Sequence, residues 1–158
     1  MAETSRRVAA PVRKGGLPNA LFVVASAEAL PPVLEGIAEL VTVTLPWGSL
    51  LRGALALDST VTRGIASLLA PGGRVDMLLA PAARDSLATS VDVNARIAGS
   101  LEADWRVLGL EVAEARPATA GERAERDTTW ARRLGLTSRA SGAPADRVAW
   151  RLVLERRP

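Results

Sequence analysis

"VTVTLPWGSLLRG", residues Val41 to Gly53, is the stretch that decides the fold. Its first residues are rich in β-branched side chains, which suit a strand. Pro46 then breaks the ladder. "GSLLRGALAL" follows at once with helical spacing and Ser49 as a plausible N-cap. A strand feeding directly into a helix is half of a βαβ unit, and Trp47 stands at the turn between them. In open α/β sheets the carboxyl ends of the strands are where ligands bind. The chain has four Trp, one Phe and no Tyr, so a Trp at that turn needs a reason.

Working outward, the chain alternates strand and helix signals. Residues 2–12 read as the end of a helix closed by "KGG". "ALFVVASAE" (20–28) begins as an apolar run of strand length, and 32–39 suits a short helical turn. "LVTVTLP" is the second strand. "DSTVTRGIASLLAPGG" predicts a helix with cap candidates at Asp58, Ser59 and Thr60 and a stop at Pro71-Gly72-Gly73. "RVDMLLAP" is a third strand. Residues 84–104 have helical spacing, with Val93, Ile97, Leu101 and Trp105 on one stripe. "LEVAEARPA" is a fourth strand, 121–134 a helix, and "DRVAWRLVLERR" a last strand. Trp105 on its stripe and Trp150 within its strand read as core. The alternation predicts an α/β sheet in a single domain.

Composition narrows the chemistry. The 158 residues are 48% hydrophobic and 23% charged, which suits a chain with a real core. Cys and His are both absent, which removes disulfides, thiolate nucleophiles, imidazole bases and the usual zinc sites; no metal is expected. Net charge is +3, and Lys14 is the single Lys among 20 basic residues. Arginine suits forked phosphate contacts and stacking on bases. No apolar run reaches the roughly 18 residues that a membrane span needs. The expected compartment is the cytoplasm.

"GGLPNALFVVASAEALPP", "LPWGSLLRG" and "TTWARRL" together resemble the aminoglycoside-resistance 16S rRNA adenine-N1 methyltransferases of the kanamycin–apramycin type. The likeness is dense over 15–53 and 126–134 and thin over 80–125 and 137–147. It implies a class I S-adenosylmethionine methyltransferase (Rossmann-like) sheet acting on the decoding-site adenine of the small ribosomal subunit, with aminoglycoside resistance as the result. It implies that Trp47 and Trp130 sandwich the flipped target base. Each stacked base contributes about 1–3 kcal/mol, which offsets the few kcal/mol of unstacking. Pro46, Ser49 and Thr128 would line the cofactor and base pocket, and Ser26, Ala27, Glu28 and Leu30 would flank the cofactor's adenine. Arg133, with Arg132 and Arg139, would contact rRNA, as would Arg13 and Lys14 in a basic linker.

The departure is at the front. The family opens with a strand, a Gly-rich loop and a second strand, none of which is found here. The sheet is therefore expected to lack its first two strands. Residues 1–19 would be a helix remnant and basic linker, and 20–158 the C-terminal part of the sheet with its helices. The two strands would lie between the strand at 20–26 and that at 41–45, leaving these without a shared neighbour. A misplaced start codon or a truncated gene is expected, with the protein longer by roughly 60 residues, the size of a βαβα unit. Two other readings stay open: a methyltransferase on a different substrate, and an inactive or RNA-binding remnant.

Overall fold

Four strands form one sheet: β1 (Ala38–Thr44), β2 (Leu69–Leu79), β3 (Leu110–Pro117) and β4 (Trp150–Arg156). Their order is β1-β2-β4-β3, with β1 parallel to β2 and β4 antiparallel to both its neighbours. The structure is a computed structural model describing residues 11–17, 19–20, 22–81, 93–126, 128–133 and 148–158. Helices α1 (Gly48–Ala54) and α2 (Ser59–Ser67) carry the chain from β1 to β2. Helices α3 (Val93–Gly99) and α4 (Leu101–Arg106) precede β3. Helices α5 (Ala120–Glu125) and α6 (Thr129–Arg133) precede β4.

Alternation along the strands sorts two cores. Val75, Met77 and Leu79 of β2 join Leu152 and Leu154 of β4 in the large one, which α1 to α4 cover with Leu51, Val61, Ile65, Ile97, Leu101 and Trp105. Leu78 points into a smaller cluster with Leu45, Ala80, Ala118, Ala131 and Ala149. Both Trp expected in the core are there, and the Trp150 indole donates to Asn94 Oδ1 at 2.9 Å.

The helices hold through specific polar contacts. Asp58 caps α2, accepting from the N–H of Thr60 (3.2 Å) and Val61 (3.3 Å), a contact typically worth about 1 kcal/mol. Buried Thr62 donates its hydroxyl proton near two acceptors, Asp58 O (2.6 Å) and Gly53 O (3.0 Å), which ties α2 to α1. Arginines serve the carboxyl ends: Arg96 donates to Leu55 O (2.7 Å) and Ala56 O (3.3 Å) after α1. Arg156 donates to Ala66 O (3.0 Å) and Leu69 O (3.2 Å) at the end of α2.

Several boundaries differ from the sequence reading. Residues 22–25 form no ladder, and only an isolated bridge joins Ser26 to Ala29. A strand needs a hydrogen-bonded neighbour, and among the described residues β1 pairs only with β2. Pro71-Gly72-Gly73 does not separate helix from strand: β2 starts at Leu69 and carries these residues as an irregularity opposite Ala38–Leu40. Gly72 takes φ +73°, and a Cβ on Gly73 would lie 2.7 Å from Ala38 O. The helix predicted over 84–104 is broken at Ser100, and 84–92 lies outside the described residues. The helix predicted from 121 starts at Ala120, with Thr119 and Glu122 in a reciprocal capping box, and splits before α6. In the last predicted strand, Val148 and Ala149 precede β4, which starts at Trp150, and 146–147 lie outside the described residues. Residues 2–10 lie outside the described residues; Val12–Lys14 is a 3-10 turn closed by Gly15 at φ +81°.

The contact between α1 and α2 makes a stability prediction. A Cβ on Gly53 would lie 2.1 Å from Val61 Cγ1. Gly53→Ala should destabilise the chain by about 1–3 kcal/mol, lowering Tm by about 2–4 °C per kcal/mol. Val61→Ala in the same chain should recover part of the loss. An unchanged Tm for Gly53→Ala would mean that the helices do not pack this closely.

Candidate functional site

The site grows from the end of β1. Leu45 leaves the strand at φ +50°, buried, with its N–H on Leu78 O at 2.7 Å. A positive φ at a branched residue is uncommon and strained. The turn buries Pro46 and throws Trp47 outward, 76% exposed. Trp47 itself takes the N-cap position of α1, with no side-chain cap. Ser49 is thus not the cap that the sequence suggested: it is the second helical residue, after Gly48.

Ser49 and Glu28 line a common cleft. The Ser49 hydroxyl, then that of Ser26, then the Glu28 backbone N–H hold the Glu28 carboxyl below the usual carboxylate range. The loop carrying Glu28 reaches this place because Gly64 of α2 has no side chain. A Cβ there would lie 1.8 Å from Ala27 O.

Two open clefts result. One, of about 480 Å³, runs along Thr44 to Leu50 and includes Pro46, Trp47 and Ser49. The other, of about 370 Å³, is walled by Ser26, Ala27, Glu28 and Leu30 on one side and by β1 and α2 residues on the other. Ser49 and Leu50 line both. Six of the seven residues expected around the cofactor therefore meet in one region, together with Trp47. The sequence reading missed the apolar walls Val41, Val43, Ile65 and Leu68. Their signal was available, since they sit on inward positions of β1 and α2.

Thr128, the seventh, lines neither cleft. Its hydroxyl accepts from the Ala131 N–H (3.0 Å) and its carbonyl accepts from the Arg132 N–H (3.0 Å), so it starts α6. Ala131 is buried in the same small cluster as Leu45. This brings α6 to the end of β1 beside the Trp47 turn. Trp130 and Arg133 have their backbones in α6, but their side chains lie outside the described atoms, and Arg139 lies outside the described residues. Arg132 is exposed on α6. Arg13 and Lys14 are exposed on the 3-10 turn.

The family model of NpmA, 16S rRNA (adenine(1408)-N(1))-methyltransferase, matches residues 1–148. The chain belongs to this family. Its sheet is that of class I S-adenosylmethionine methyltransferases. The 16S rRNA (adenine(1408)-N(1))-methyltransferase of Streptoalloteichus tenebrarius is 50% identical over 72 residues, 46% of this chain and 33% of that one. That of Streptoalloteichus hindustanus is 36% identical over 139 residues, 85% of this chain and 64% of that one. The chain thus spans less than two thirds of the length of these curated relatives. A solved variant of the Catenulisporales acidiphilia 16S rRNA (adenine(1408)-N(1))-methyltransferase with cosubstrate SAM is 26% identical. It has a TM-score of 0.74 and covers 100% of this chain and 70% of that one.

The influence of Ser49 on the Glu28 carboxyl is directly testable. Because its pKa is lowered on folding, Glu28 contributes stability above its unfolded pKa of about 4.3. That contribution is lost as the pH falls through the folded value. In Ser49→Ala the Glu28 carboxyl should titrate closer to its ordinary value, read by carboxyl-carbon NMR. An unmoved Glu28 titration would show that the hydroxyl does not hold it.

Proposed function

We propose that this protein transfers a methyl group from S-adenosylmethionine to N1 of adenine 1408 of 16S rRNA, the base that its family's description names. The observation that carries the reading is Trp47: a large indole left in the open at a strand's carboxyl end, on the rim of a cleft.

The lining fits the adenosine end of the cofactor. The walls at Val41, Val43, Ile65 and Leu68 are apolar, as a purine face requires, and Glu28 offers an acceptor at the rim. Ser26, Ala27, Glu28 and Leu30 would hold the adenine, with Pro46, Ser49 and Thr128 toward the reacting end. When bound, S-adenosylmethionine supplies an electrophilic methyl group. The target adenine attacks through the in-plane lone pair of N1, so no protein group has to remove a proton first. A chain without His or Cys is suited to such a reaction, whose rate comes from positioning.

Trp47 and Trp130 would clamp the flipped base from its two faces. The product base carries a positive charge, which an indole face favours by about 0.5–2 kcal/mol. Arg132, Arg133, Arg139, Arg13 and Lys14 would meet the phosphates of rRNA within the assembled small ribosomal subunit, in the cytoplasm. Among the described residues no helix is long and apolar enough to cross a membrane. Methylation at this position would confer aminoglycoside resistance.

The test is Trp47→Ala, assayed with labelled S-adenosylmethionine on purified small subunits. Loss of one stacking contact of about 1–3 kcal/mol should slow transfer by about 5- to 150-fold. Cofactor affinity, read by calorimetry, should change by less than about tenfold. Unchanged transfer would remove Trp47 from the site.

A further inference from the structure

The face of the sheet that carries the smaller core holds a charge network. Asp76 sits in the middle of β2 between buried Val75 and Met77, with its side chain 13% exposed. A carboxylate so placed is costly unless paired. Arg126 NH2 lies 2.7 Å from Asp76 Oδ2, and its NH1 donates to the Asp76 backbone carbonyl at 3.3 Å. Arg151 of β4 donates to both Asp76 oxygens, at 3.4 and 3.2 Å, and to Glu122 Oε1 at 2.8 Å. Arg116 of β3 grips Glu122 with two bonds, at 3.0 and 2.6 Å. Glu114 lies 3.0 Å from Arg116 and 3.6 Å from Arg151. Three guanidinium groups thus meet three carboxylates across three strands and α5.

The arrangement does something specific to α5. A helix of six residues has too little internal bonding to fix its own place. Glu122 and the capping box hold its start to β3 and β4. Arg126 holds its end to β2. One residue separates Arg126 from Thr128, which starts α6, and Trp130 follows two residues later. The rest of the described apolar anchorage of α6 is Ala131, a single small side chain. Apolar contact of that size leaves orientation loose, whereas a forked guanidinium contact is directional.

We propose that Arg126, paired with Asp76, is a positioning residue that fixes the α5–α6 corner over the carboxyl ends of β1 and β2. It thereby sets Trp130 and Thr128 relative to Trp47. The proposal rests on the reading of Trp130 as a base-stacking residue. Arg126 touches neither base nor cofactor in this role; it acts by fixing the end of α5, two residues before Thr128. Asp76 keeps Arg151 when Arg126 is removed, so the carboxylate is not stranded and the fold has no reason to collapse.

The test is Arg126→Gln in the full chain, with Arg126→Lys as the conservative partner. The chain carries 5-fluorotryptophan, and the Trp130 signal is assigned with Trp130→Phe. In Arg126→Gln the Trp130 fluorine resonance should shift or broaden while those of Trp105 and Trp150 stay in place, and Arg126→Lys should restore much of the original signal. On small subunits, kcat should fall about 10- to 100-fold, as small misplacements of reacting groups do, with the S-adenosylmethionine Kd changed by less than about tenfold. An unmoved Trp130 resonance overturns the proposal. So does a shift of all the Trp resonances together with a lowered Tm, which would mark general loosening. Should the unaltered chain transfer no methyl group, the base-stacking reading of Trp130 falls, and the fluorine spectra alone decide whether Arg126 sets the corner.

Discussion

The ladder between β1 and β2 ends in one strained turn, and the rest of the site hangs from it. The Leu45 N–H is held by the Leu78 carbonyl while Leu45 sits at φ +50°. Holding a non-glycine residue there costs about 1–3 kcal/mol. Burial of Leu45 with Leu78, Ala118 and Ala131 keeps it in place. That single turn stops β1, buries Pro46, exposes Trp47 and starts α1, whose Ser49 shares a cleft with Glu28. The same cluster takes in Ala131 of α6, the helix whose backbone carries Trp130. Core packing and the proposed base recognition would thus share one backbone conformation.

Arginine has a second role that composition alone conceals. The excess of Arg over Lys invites a reading in terms of nucleic acid. Much of it is spent inside the chain. Arg96 and Arg156 close the carboxyl ends of α1 and α2, and Arg116, Arg126 and Arg151 are shared among Asp76, Glu114 and Glu122. A planar fork satisfies two acceptors at once, which a lysine does less well. The guanidinium partners hold the Glu122 carboxyl well below the ordinary range: first Arg116, then the Thr119 backbone, then Arg151.

The alternation of strand and helix was legible because β-branched runs and capped helices announce themselves locally. "LVTVTLPWGS" placed Trp47 at a strand end, and the four-residue spacing of Ile97, Leu101 and Trp105 put that face in the core. What failed was decided at a distance. "ALFVVAS" has strand composition, but pairing is a property of two segments, and residues 22–25 pair with no strand among the described residues. Pro71-Gly72-Gly73 signals a stop, yet the neighbouring strand accommodates it as an irregularity. Ser49 is a good cap by type, but the turn at Leu45 and Pro46 lets α1 start at Gly48, so the cap position falls on Trp47. Asp76 in "RVDMLLA" was the visible clue to the charge network, a lone carboxylate amid apolar residues, and its partners Arg126 and Arg151 lie 50 and 75 positions away in the chain.

The most direct measurement is mass spectrometric mapping of 16S rRNA from small ribosomal subunits incubated with the protein and S-adenosylmethionine. The account predicts one added methyl group on adenine 1408, at N1, where it blocks the Watson–Crick edge. Methylation elsewhere, or none with cofactor bound, would contradict it.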